Sequence, residues 1–92
     1  MKNVQEMITM LKAKFPKAWF KDGAEFNDSS SKAIWTGEES YIDKEGIIPM
    51  FNYYSERDCY QFGAHVALCK AVEAEGYYVE CYDPGTFFIY PD

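Results

Sequence analysis

The sequence predicts an α+β fold, a two-layer sandwich in which two helices cover an antiparallel sheet of four to five strands in the order α-β-β-(β)-α-β-β. Three observations predict it: an amphipathic run opened by Asn3 and stopped by Pro16, a second apolar stripe that ends at Gly76, and two β-textured regions. With 92 residues, 48% of them apolar, residues 1–92 are expected to form a single domain around one core.

Asn3 and Glu6 make a capping-box pattern, and Val4, Met7, Ile8, Leu11 and Phe15 follow at helical spacing until Pro16 forbids continuation. Lys12 and Lys14 fall in the last turns, where the negative end of the helix dipole favours them. Residues 17–31 mix Trp19, Phe20 and Phe26 with Asp22-Gly23 and the run Asn27-Asp28-Ser29-Ser30-Ser31, which supports a short extended piece, a turn and a polar loop. Residues 33–36, 41–42 and 47–54 read as two or three antiparallel strands, with turns at Gly37-Glu38-Glu39 and Asp43-Lys44-Glu45-Gly46. Pro49 removes a ladder donor and places the last of them at an edge or a bulge.

Overlapping capping boxes, Ser55 with Asp58 and Asp58 with Gln61, predict a helix that begins nearby. Its buried stripe would be Phe62, Val66, Cys69 and Val72, joined by Leu68, and Gly76 is expected at its C′ position. Residues 77–82 and 87–90 then flank Asp83-Pro84-Gly85-Thr86, where Pro84 presets its own φ and Gly85 is free to take positive φ. Period-two alternation puts Tyr77, Val79 and Cys81 on one face of this hairpin and Tyr78, Glu80 and Tyr82 on the other. One of these faces packs on the helices, and the other meets solvent or a partner.

Composition removes several classes of function. No stretch approaches the ~20 apolar residues of a membrane span, and the first twelve residues alternate charge with apolar side chains, unlike a signal peptide. A cytoplasmic protein without membrane contact is expected. Cys59, Cys69 and Cys81 are odd in number and lack a C-x-x-C pair, which argues against a secreted disulfide scaffold and makes the glycosylation pattern Asn27-Asp28-Ser29 a coincidence. The net charge of −6 is unevenly spread: residues 1–32 carry +2 and residues 33–92 carry −8. That second part repels phosphates at long range, so direct nucleic-acid binding is disfavoured and a basic partner is expected.

Candidate chemistry is sparse. His65 and Cys69 share a helix face and make half a zinc site, with Cys59 and Cys81 as completing ligands, but the spacing matches no standard four-ligand pattern. Their ordinary reading is core filling for Cys69 and Cys81, with His65 at the border. Cys59, His65 and Asp58 contain the residue types of a nucleophilic site, yet Asp58 already reads as a helix cap. Carboxylate pairs such as Glu38 with Glu39, or Glu80 with Asp83, read as solvated turn residues rather than an acid and base for sugar chemistry. The glycines are isolated, so there is no phosphate-cradling loop. We therefore expect no enzyme, no catalytic residue, no metal and no cofactor. Capture of a nucleotide signal stays as an alternative, because aromatic faces stack bases while Arg57 and a few lysines meet phosphate.

The strongest anomaly is aromatic content, 18% of the chain with eight tyrosines and two tryptophans. In the ordinary reading the rings lie on the sheet and their hydroxyls reach water. The sharper reading joins them to the acidic turns. Glu38, Glu39, Asp43, Glu45, Glu80 and Asp83 then supply negative charge, and Tyr78 and Tyr82 supply anchoring area for a protein partner with a basic surface. In small size, acidity, tyrosine richness and absence of a catalytic motif, the chain resembles the small phage-encoded antagonists of bacterial defence, of the anti-CRISPR and anti-restriction type. This is a resemblance of overall character, carried by no particular motif, and it transfers no residue roles. It implies a non-enzymatic inhibitor in the host cytoplasm that occupies a basic nucleic-acid-binding site on a defence protein. A homodimer, or a larger structural assembly built on the tyrosine-bearing face, is the remaining alternative.

Overall fold

Helix α1 (Val4–Lys14) forms where its cap and stripe dictate. The Asn3 side chain accepts the Glu6 amide at 2.9 Å and the Glu6 carboxylate accepts the Asn3 amide at 3.0 Å, so both halves of the capping box are made. Met7, Ile8, Leu11 and Phe15 are buried, and the chain leaves the helix before Pro16. The computed structural model describes residues 2–27 and 32–92. After α1 come β1 (Lys21–Asp22), a 3-10 turn (Gly23–Glu25) capped by Asp22, β2 (Ile34–Gly37), β3 (Tyr60–Gln61), β4 (Ala64–His65), α2 (Val66–Glu73), β5 (Tyr77–Asp83) and β6 (Thr86–Pro91). The extended piece and turn expected in residues 17–27 are therefore present, whereas the polar loop and glycosylation pattern lie largely outside the described residues.

The result is an α+β fold. One antiparallel sheet has the order β1-β2-β6-β5, and β3 with β4 forms a separate two-stranded ribbon. Ile34, Phe87 and Ile89 from the sheet join Met7, Leu11, Leu68 and Val72 from the helices in one core. The hairpin alternation holds: Tyr77 is buried with Val79 and Cys81 half-buried beside the core, while Tyr78, Glu80 and Tyr82 are exposed on the opposite face.

Three local expectations are corrected. Residues 41–54 form no strand, only isolated bridges at Tyr41↔Pro49 and Phe51↔Ala64. The Asp43 carboxylate takes the amides of Ile47 (2.9 Å) and Ile48 (2.7 Å), donors that a ladder would have needed, and Gly46 turns the chain at φ 72°. The second helix starts at Val66, later than the Ser55 and Asp58 patterns suggested, because Phe62 (φ 52°) and Gly63 (φ 90°) make a two-residue type I′ turn between β3 and β4. His65 then caps α2: its Nδ1 accepts the Ala67 amide at 3.0 Å. Phe62 accordingly leaves the buried stripe and is 96% exposed. Gly76 takes the left-handed region, at φ 80°, but lies two residues past the C-cap Ala74 and so one beyond the expected C′ position; Gly85 stays out of that region, and the β5–β6 turn instead uses the Asp83 carboxylate, which accepts the Gly85 amide at 2.9 Å.

Candidate functional site

The face of the sheet turned away from the core is aromatic. Strand register places Lys21, Trp35, Phe88 and Glu80 side by side across β1, β2, β6 and β5, with Tyr90 and Tyr78 paired in the next row. Trp19, two residues before Lys21, shares its side, and its ring meets that of Trp35 at 5.3 Å and 86°. Phe26, just beyond the 3-10 turn, closes edge-on over Trp35, Phe88 and Tyr82 at 5.1–5.3 Å. Ring contacts thus run without a break from Trp19 through Trp35, Phe26 and Phe88 to Tyr90 and Tyr78. Such edge-to-face pairs are worth about 0.5–1.5 kcal/mol each beyond area burial, so the surface is stiff.

Tyr82 is 61% exposed and Tyr78 38%, so both tyrosines singled out in the sequence stand on this face and reach solvent. Glu80 lies between them in β5, and its charge, after burial, helps hold the Tyr90 hydroxyl above its ordinary value. Glu38 and Asp83 are drawn together at Gly85: the Glu38 amide donates to the Gly85 carbonyl oxygen at 3.1 Å, and a Cβ added to Gly85 would lie 3.4 Å from the Glu38 carboxyl carbon. Glu39 follows with φ 67° and, with Glu38, lines a cleft of about 530 Å³ beside Trp19 and Trp35. Asp43 and Glu45 belong to the separate loop described above. Bonds from the Ile48 amide and, less strongly, the Ile47 amide hold the Asp43 carboxyl below its ordinary value, so it is engaged as a cap of its own loop.

Sequence reasoning missed Trp19, Trp35, Phe26 and Phe62. A bulky residue with φ 52° costs about 1–2 kcal/mol relative to glycine, and Phe62 buries almost nothing in return. With Tyr53, Tyr82 and Pro84 it lines a second cleft of about 700 Å³ at the hairpin end of the sheet. The signal was the Phe62-Gly63 pair itself, a turn dipeptide hidden inside a helical spacing.

Of the residues considered for zinc or nucleophilic chemistry, Cys69, Cys81 and His65 have other occupations. Burial raises the Cys69 thiol, with Glu73 adding to it, and burial followed by Asp83 raises Cys81, so both remain thiols at neutral pH. Among the described residues no group of three or more His, Cys, Asp or Glu side chains is arranged to hold a metal ion. Burial lowers the His65 imidazole from its ordinary value of 6.5, and its Nδ1 must be unprotonated to cap α2. A folded-state value below the unfolded one means that this stabilisation is complete above the ordinary value and lost as pH falls through the lowered one. The melting temperature of the wild type should therefore fall more steeply between about pH 7 and pH 5 than that of His65→Asn, which caps without titrating. Parallel curves for the two would remove the imidazole from the acid response. No helix among the described residues is long and apolar enough to cross a membrane. Comparison with protein-family models, with curated proteins and with solved structures finds no significant match to this chain.

Proposed function

We propose that this chain is a non-catalytic binding module of the cytoplasm that seats its aromatic sheet face and acidic hairpin end on a basic protein surface, occupying a site that a nucleic-acid backbone otherwise fills. The observation that carries the reading is the unbroken line of rings on the face opposite the core, with Tyr82 and Tyr78 standing into solvent and Glu38, Glu80 and Asp83 close beside them. Tyr and Trp dominate protein–protein hot spots because they supply large rigid area at low entropic cost, and the carboxylates steer a cationic partner into register. The strained, exposed Phe62 extends the same surface around the hairpin end. Inhibition follows from occupancy alone: a partner whose basic groove holds this face cannot hold phosphates.

The test is capture from a bacterial lysate on the immobilised chain, quantified by mass spectrometry at two salt concentrations. The expected catch is nucleic-acid-binding proteins with basic surfaces, and it should shrink as salt rises. Tyr82→Ala and the double reversal Glu80→Lys with Asp83→Lys should each cut recovery about tenfold, equivalent to about 1.4 kcal/mol. Phe62→Asn should also weaken capture, yet melt about 4–8 °C higher, because asparagine tolerates the left-handed position and relieves about 1 kcal/mol of strain. An equal catch for wild type and all three variants, or one without basic proteins, would remove the proposal.

A further inference from the structure

Trp19 and Trp35 form more than a hydrophobic surface. Their rings stand at 86°, making a corner, and the Lys21 ammonium lies 5.7 Å from the Trp19 ring centroid and 5.4 Å from that of Trp35. Both distances fall within cation–π range, so a cation already occupies the corner. The frame is fixed from behind. The Trp19 indole N–H donates to the Glu38 carbonyl oxygen at 2.8 Å, and the Thr36 hydroxyl, fully buried, donates to the Trp19 carbonyl oxygen at 2.7 Å. Trp35 is held in β2 between Lys21 and Phe88.

Glu38 and Glu39 line the mouth of this cleft, and both are exposed. Among the described residues the one ion pair within 4 Å joins Lys2 to Glu75, so neither glutamate is paired with Lys21. Two carboxylate side chains, two indole faces and one ammonium on an exposed stem therefore line a single cleft. That surplus of negative potential disfavours a phosphate and favours a further cation. A guanidinium fits better than a second ammonium: it is planar, stacks on an indole, is weakly hydrated, and forks two N–H groups toward carboxylates.

We infer that the Trp19–Trp35 corner, with Glu38 and Glu39, is a binding site for an arginine side chain of the partner, which takes the place that the Lys21 ammonium holds in the free protein. This rests on the reading of the partner as a basic protein and names the group it inserts. Lys21 keeps the corner filled until docking and is expelled along its solvent-exposed stem.

The experiment titrates the full chain with Nα-acetyl-arginine amide at constant ionic strength, following the indole N–H resonances, of which there are only two to assign. Saturable shifts at both indoles are expected, with half-saturation on the order of 10 mM, as befits one side chain removed from its protein. Nα-acetyl-lysine amide should bind roughly threefold more weakly or worse, and the uncharged glutamine counterpart should leave both resonances in place. Lys21→Met should tighten arginine binding roughly threefold by removing the competitor, while Glu38→Gln with Glu39→Gln should weaken it about tenfold. These substitutions lie on exposed side chains, so the result does not depend on a core change being tolerated. Linear, unsaturable shifts, equal responses to arginine and lysine, or saturation by adenosine monophosphate instead would each overturn the assignment. The lysate experiment uses variants outside this corner. Arginine binding without capture of basic proteins would count against the partner reading alone, and capture without arginine binding would count against the corner alone.

Discussion

Phe87→Ala should remove about 3–5 kcal/mol of stability, the cost of emptying a large ring from a packed core. Phe87 is fully buried in β6, and its ring stacks on Phe51 at 4.2 Å with 16° between planes. Its far edge lies against Gly63, where an added Cβ would come within 3.2 Å. This one side chain therefore ties the sheet to the irregular segment around residues 50–63, which has little regular ladder of its own. A domain of this size has about 5–15 kcal/mol in total, and each kcal/mol moves its melting temperature by about 4–8 °C, so a drop of roughly 12 °C or more is expected by circular dichroism. Phe51→Ala measured in the same double-mutant cycle should show strong coupling to Phe87→Ala. A loss below about 1 kcal/mol would mean that the segment closes over the space and that the stacked pair does not join the two parts.

Gly37→Ala should be nearly as damaging, by about 3 kcal/mol, although it adds a single methyl group. The added Cβ would collide with the Gly85 carbonyl oxygen, a backbone atom held by the Glu38 amide at 3.1 Å. Neither partner can rotate away, so β2 and the β5–β6 turn must part. Hydrogen exchange of the Glu38 amide should quicken with the loss of stability. The comparison that isolates the cause is Gly85→Ala, where the nearest atom is the Glu38 carboxyl carbon at 3.4 Å, at the end of a flexible exposed side chain. That change should stay within about 0.5 kcal/mol. Equal losses at both positions would point to the general cost of altering the turn and away from the Gly37 contact.

What could be read from the sequence was local. The Asn3–Glu6 box and the pairing of β5 with β6 each depend on residues within a few positions of one another, and both form as expected, although the turn between the strands uses Asp83 rather than a left-handed Gly85. The start of α2 was misread because Ser55, Asp58 and Gln61 satisfy a spacing rule that says nothing about competing turns. Ser55 instead accepts the Arg57 amide at 3.2 Å, and the left-handed pair Phe62-Gly63 delays the helix to Val66. The strands expected in residues 41–54 failed for a related reason, since propensity cannot anticipate that one carboxylate, Asp43, will claim two consecutive amides.

The candidate site divides along the same line. Tyr78, Glu80 and Tyr82 follow from alternation within one strand. The Trp19–Trp35 corner and the Phe26 cover depend on which strands become neighbours, since β1 contributes only two residues and pairs with β2 across a 3-10 turn and the following segment. Long-range pairing of that kind leaves no mark in a local window. Asp43 and Glu45 were grouped with the other acids by charge alone, and folding assigns Asp43 to its own loop.

The sheet order leaves β1 and β5 as the two outer strands. Open rims of this kind invite other chains to add on and grow into fibrils, and the two rims are blunted differently. β1 is too short to template an addition, while β5 carries a register shift between Cys81 and Asp83 with Glu80 just before it, so a second β5 laid alongside would meet broken spacing and like charge. Both rims of the sheet are thereby poor templates for ladder growth between copies of the chain.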